Sequence, residues 1–118
     1  MGKILIIEDD FPFFIALEMK LKNIGCSIEL IYAGSLEDGQ EMFLRYKDNL
    51  RVIIMDACVP GNTLNSLPLI SFILKEHFFG PIIACSSRHN KEMMASGCTH
   101  QSAKDEEILA QVIVNLLK

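Results

Sequence analysis

The sequence lacks the marks of several protein classes, and each lack narrows the reading. Half of the 118 residues are hydrophobic, yet no apolar run approaches the roughly 20 residues a membrane-spanning helix needs. No basic opening with an apolar core and a small-residue cleavage site precedes the first strand-like run at Lys3, so no secretory signal is expected. Gly2 begins no myristoylation sequence, because Ile6 stands where that pattern needs Ser or Thr. Cys26, Cys58, Cys85 and Cys98 form no Cys-x-x-Cys pair and have no histidine at zinc-ligand spacing, which predicts free, mostly buried, inert thiols. Basic charge is scarce as well: 11 Lys and Arg stand against 15 Asp and Glu, a net charge of −4, and the cations are scattered. Direct binding to nucleic acid is therefore not expected. Repeats, linkers and low-complexity stretches are missing too. The expectation is a soluble, cytoplasmic protein with no membrane contact and one domain over residues 1–118, without an effector domain.

Short β-branched runs alternate with helical patterns along the whole chain. Lys3 to Ile7, Cys26 to Tyr32, Arg51 to Met55, Pro81 to Cys85 and Cys98 to Ala103 read as five strands, the last weakened by its polar residues. In the third, Val52 to Met55, and in the fourth the run is unbroken and apolar, as in strands covered on both faces of a parallel sheet. Between them, Pro12 suits a first helical turn near Asp10 or Phe11, with Phe14, Leu17, Leu21 and Ile24 inward. Ser35 opens a second helix with Met42, Phe43 and Tyr46 buried, and Asp48-Asn49 closes it. A third starts near Leu67 and Pro68, turns Leu67, Ile70, Ile73 and Leu74 inward, and stops at Gly80-Pro81. A short fourth over Arg88 to Ser96 ends at Gly97, and Asp105 caps a fifth with Ile108, Leu109, Val112, Ile113, Leu116 and Leu117 as its stripe. Such alternation predicts an α/β fold: a doubly wound five-stranded parallel sheet with helices on both faces, joined by right-handed crossovers.

In that architecture the carboxyl ends of all strands meet at one edge, where ligands gather. The first strand ends in Glu8-Asp9-Asp10 and the third in Asp56, so the carboxylates would converge if those strands are neighbours. Like charges so close raise one another's pKa, and a hard divalent cation removes the penalty; magnesium fits. Ser86 and Lys104, at the ends of later strands, would complete a pocket for an anionic, oxygen-rich group such as phosphoryl.

Ile4 to Asp10, Met55 to Gly61, Pro81 to Ser86 and Gly97 to Lys104 together resemble the receiver domain of two-component response regulators, over essentially the whole chain. The resemblance implies that Asp56 accepts a phosphoryl group from a histidine kinase or phosphotransfer protein and that the domain signals to a downstream protein target. It leaves a homodimer open. It implies magnesium bound by Asp9, by Glu8 mostly through water, by Asp56 and by the backbone carbonyl of Cys58. Ser86 would bind a phosphoryl oxygen, and Lys104 would pair with the acyl phosphate. A phosphatase of related architecture carries a second Asp two residues after the nucleophile, and Cys58 stands there, so turnover of an external substrate is not expected.

The spacing departs from the family at one place. Asp56 to Ser86 spans 30 residues (86 − 56), the family's interval, but Ser86 to Lys104 spans only 18 (104 − 86). The shortfall is about four residues, close to one helical turn, and falls between Ser87 and Gly97, which predicts a shortened fourth helix. Gln101 corresponds to the aromatic residue that usually swings inward when the hydroxyl moves, and Asp105 replaces the usual Pro after the lysine. An alternative follows: a degenerate receiver that binds a partner irrespective of phosphorylation.

Overall fold

The structure, a computed structural model, describes residues 2–118. Five strands, β1 (Lys3–Ile7), β2 (Glu29–Ala33), β3 (Leu50–Met55), β4 (Ile82–Cys85) and β5 (His100–Ser102), form one parallel sheet in the order β2-β1-β3-β4-β5. The helices are α1 (Phe11–Asn23), α2 (Leu36–Tyr46), α3 (Leu67–Lys75), α4 (Asn90–Ala95) and α5 (Glu106–Leu117), with a 3-10 turn at Lys47–Asn49 before β3. The expected fold class holds, and α4 is six residues long.

Side chains alternate across a strand, and the sheet divides the core accordingly. Leu5, Ile7, Ile53, Met55, Ile82 and Ala84 face α2, α3 and α4, where Phe43, Ile70, Ile73 and Met93 meet them. Ile4, Ile6, Val52, Ile54, Ile83 and Cys85 face α1 and α5, against Phe14, Leu17, Leu21, Leu109 and Ile113. Among the described residues no helix is long and apolar enough to cross a membrane.

Several expected boundaries move. Strand β2 starts at Glu29 rather than Cys26, because its partner β1 begins at Lys3, which pairs with Glu29. Helix α3 stops at Lys75, before Gly80: His77 adopts φ 64 and its N–H donates to the Leu74 carbonyl at 3.1 Å, a left-handed turn outside glycine. Leu69 is buried in α3 where Leu74 was expected, since Leu74 lies at the helix rim, half in solvent. Ile24 and Ile108 are exposed for the same kind of reason, one at the C-cap of α1 and the other in the first turn of α5. Gly97 does close α4, at φ 124, a backbone region closed to most L residues.

Ser66 precedes α3 fully buried, yet its hydroxyl neither caps the helix nor meets a hydrogen-bond partner among the described residues. A buried polar group without a hydrogen bond costs about 1–3 kcal/mol. Ser66→Ala is therefore expected to leave stability unchanged or raise it by about 1 kcal/mol in urea unfolding, and a loss of similar size would show that the hydroxyl is satisfied in solution.

Candidate functional site

The register of the central strands builds the site. Ile7 of β1 stands beside Met55 of β3, so the residues that follow, Glu8 and Asp56, leave the sheet together. Their backbones continue the ladder: the Asp56 N–H donates to the Ile7 carbonyl and the Glu8 N–H to the Ala33 carbonyl, both at 3.0 Å. Both carboxylates are buried. Asp9 is exposed beside them, and one oxygen from each of Glu8, Asp9 and Asp56 lies within 4.8 Å of the others. Asp10 does not join this cluster. Its side chain accepts from the Phe13 N–H at 3.2 Å and caps α1, a role open to any Asp at a helix start.

Lys104, two residues beyond β5, reaches back over this edge. Its Nζ donates to Glu8 Oε2 at 3.1 Å and Asp56 Oδ2 at 3.5 Å, and it lies 5.8 Å from the centre of the Phe13 ring. Asp56 Oδ1 accepts from the Ala57 N–H at 2.8 Å. Burial, reinforced by the neighbouring Asp56 charge, pushes the Glu8 carboxyl up to about 8. Burial alone would lower the Lys104 ammonium, but its hydrogen bond to Glu8 and the Asp56 charge outweigh that and leave it raised. One ammonium thus faces three carboxylates, a charge deficit that a divalent cation with oxygen ligands would remove.

A cavity of about 120 Å³ opens in front of Asp56, walled by Cys58, Ser86, Arg88, His89 and Lys104 among others. The structure thus brings Glu8, Asp9, Asp56, Cys58, Ser86 and Lys104 to one place. Burial pushes the half-buried Cys58 thiol up and the buried Cys85 thiol up to about 12, in both cases away from the reactive thiolate form. His89, in the cavity wall, has its Nδ1 3.0 Å from Glu92 Oε2.

Two asparagines escape sequence reasoning. Asn65 braces the loop after Asp56, its Oδ1 accepting from the Val59 N–H at 2.8 Å and its Nδ2 donating to the Val59 carbonyl at 3.0 Å. Asn90 makes the same kind of double contact between the ends of β4 and β5. Neither has a periodic signature; an Asn beside a loop was the only available signal.

No protein-family model and no curated protein matches the sequence. Solved structures do. A response regulator receiver domain from Clostridium thermocellum superposes with a TM-score of 0.80 at 21% identity, over 99% of this chain and 94% of that one. The chain has the response-regulator receiver fold. A chemotaxis response regulator of Vibrio cholerae gives a TM-score of 0.78 at 19% identity over 98% of each chain. A LuxR-family DNA-binding response regulator from Staphylococcus aureus gives 0.80 at 19% over the full length of both chains. On this receiver fold Gln101 lies exposed in the middle of β5, so no ring stands there to swing.

Proposed function

We propose that this protein is the phosphoacceptor of a two-component or phosphorelay system. Asp56 takes a phosphoryl group from a phosphohistidine of a kinase or phosphotransfer protein, and the product signals through contacts with a downstream protein. The observation that carries this reading is a buried Asp56 with an ammonium at 3.5 Å and two further carboxylates within ligand distance. In the transfer an Asp56 oxygen forms the new P–O bond as the donor's P–N bond breaks, and the imidazole leaves with the electron pair. Glu8, Asp9, Asp56 and the Cys58 carbonyl would hold Mg²⁺, which when bound screens the phosphoryl charge. Lys104, released from carboxylate contact, pairs with a phosphoryl oxygen, and Ser86 donates to another. The domain is a signalling module of the cytoplasm and turns over no external substrate; residues 1–118 form one receiver unit.

Incubation with phosphoramidate and Mg²⁺ is expected to add one phosphoryl mass to the wild type and none to Asp56→Asn. A wild type that gains no mass overturns the reading. The exposed Gln101 and the six-residue α4 favour a second reading, a binding module indifferent to phosphorylation. The two separate on partner affinity, which shifts with phosphodonor only under the first.

A further inference from the structure

We infer that Asn90 is a positioning residue for the phosphoacceptor site: it fixes the Ser86 hydroxyl in the wall of the Asp56 cavity and ties that wall to the edge of β5. The inference rests on the phosphoacceptor reading. The Ser86 N–H donates to Asn90 Oδ1 at 2.9 Å, and Asn90 Nδ2 donates to the Ser102 carbonyl at 2.9 Å. A backbone N–H can only donate and a carbonyl only accept, so the partners themselves fix which way the amide faces.

The hydroxyl is held from its other side. Ser86 Oγ accepts from the Arg88 and His89 N–H groups, both at 3.2 Å, as the chain turns into α4. A hydroxyl has two acceptor lone pairs and one hydrogen. With the lone pairs engaged, what Ser86 offers the cavity is its hydrogen, the polarity that a phosphoryl oxygen needs. Holding Ser86 from its own N–H, Asn90 keeps that donor in place before the phosphoryl group arrives, so less reorganisation is left for the transfer.

The second half of the amide extends the link to Ser102, which is buried and donates its own hydroxyl to the Ala103 carbonyl at 2.8 Å, two residues before Lys104 approaches. Gln101, in the middle of β5, is exposed, and Asn90 supplies a direct tie between the cavity wall at Ser86 and β5. It makes and breaks no covalent bond.

Asn90→Ala and Asn90→Asp test the two ends separately. Phosphoryl incorporation from phosphoramidate with Mg²⁺ is followed by intact mass over a range of donor concentrations, and amide exchange at residues 101–104 is read before and after. Asn90→Ala is expected to lower the maximal rate about tenfold to a hundredfold, with the half-saturating donor concentration within about twofold of wild type. In Asn90→Asp the carboxylate still accepts from the Ser86 N–H but opposes the Ser102 carbonyl. It recovers most of the rate while the exchange at residues 101–104 no longer responds to phosphorylation as in the wild type. Met93→Ala, which empties a core position of the same helix, serves as the stability control and keeps the wild-type rate. An Asn90→Ala protein that reacts at the wild-type rate, or slows only as Met93→Ala does, overturns the inference, as does an Asn90→Asp protein with a wild-type exchange response. A wild type that takes up no phosphoryl group overturns the phosphoacceptor reading and this inference with it; an adduct in the wild type with indifferent variants overturns the inference alone.

Discussion

In magnesium-free buffer the protein is expected to lose stability as pH rises from about 5 to about 8, and added Mg²⁺ to restore it increasingly over the same window. The sign follows from Glu8. Its carboxyl titrates near 4.5 in an unfolded chain and is pushed to about 8 in the folded one by burial and by Asp56. Between those values the folded state keeps a proton that the unfolded state has released, so unfolding gains as pH rises. Lys104 contributes outside this window: its raised pKa lies above 10.5, and what it adds is lost only as pH climbs through that range. A cation bound by ionised carboxylates expels the Glu8 proton, so its stabilisation grows with pH. The effect should reach a few kcal/mol, a sizeable share of the roughly 5–15 kcal/mol that holds a domain together. Glu8→Gln should flatten the metal-free profile, raise stability at pH 8 and weaken the response to Mg²⁺. Thermal unfolding between pH 5 and 8.5, with and without Mg²⁺, reads all three; a metal-free curve that is flat or climbs across the window would refute the assignment.

The second large effect lies in the core. Phe43 is fully buried on α2, with its ring edge-on to Phe72 at 6.3 Å and to Phe78 at 6.0 Å. Truncation to Ala removes the apolar area, leaves a cavity among rigid strands and helices, and ends both ring contacts. Such changes cost about 3–5 kcal/mol, with each aromatic pair adding about 0.5–1.5 kcal/mol beyond area. Phe43→Ala is therefore expected to lose about 4 kcal/mol in urea unfolding. Phe43→Leu, which keeps most of the volume, should lose clearly less. If the two variants lost the same small amount, the site would be collapsing around the truncation, and the packing described here would be wrong.

What the sequence disclosed was set by period and position. Ile4 to Ile7 and Val52 to Met55 announce strands without help, because a run buried on both faces must be apolar throughout. Parallel neighbours bring their ends together, so Glu8 and Asp56 were expected side by side if the first and third strands were adjacent, as they are. Ser86 and Lys104 followed from the same edge, although only the structure shows Lys104 spanning two carboxylates. Asp10 reads two ways in sequence, as a carboxylate at the sheet edge and as a cap for α1, and the structure shows it as the cap. Asn65 and Asn90 were under-read, since an amide that bonds the backbone of another element carries no period of its own. The start of β2 shifted because strand length is set by the partner strand.

The short β5 and α4 lie at the outer margin of the sheet, next to β4 and far from the doubly covered centre. Three residues of ladder on one side and a helix of six residues give that corner little free energy to oppose its own opening. Segments of this kind exchange their amides through small local excursions while the rest of the molecule stays shut. The corner thus forms a soft margin on a hard frame, tied to the end of β4 at its inner border by the half-buried Asn90 amide.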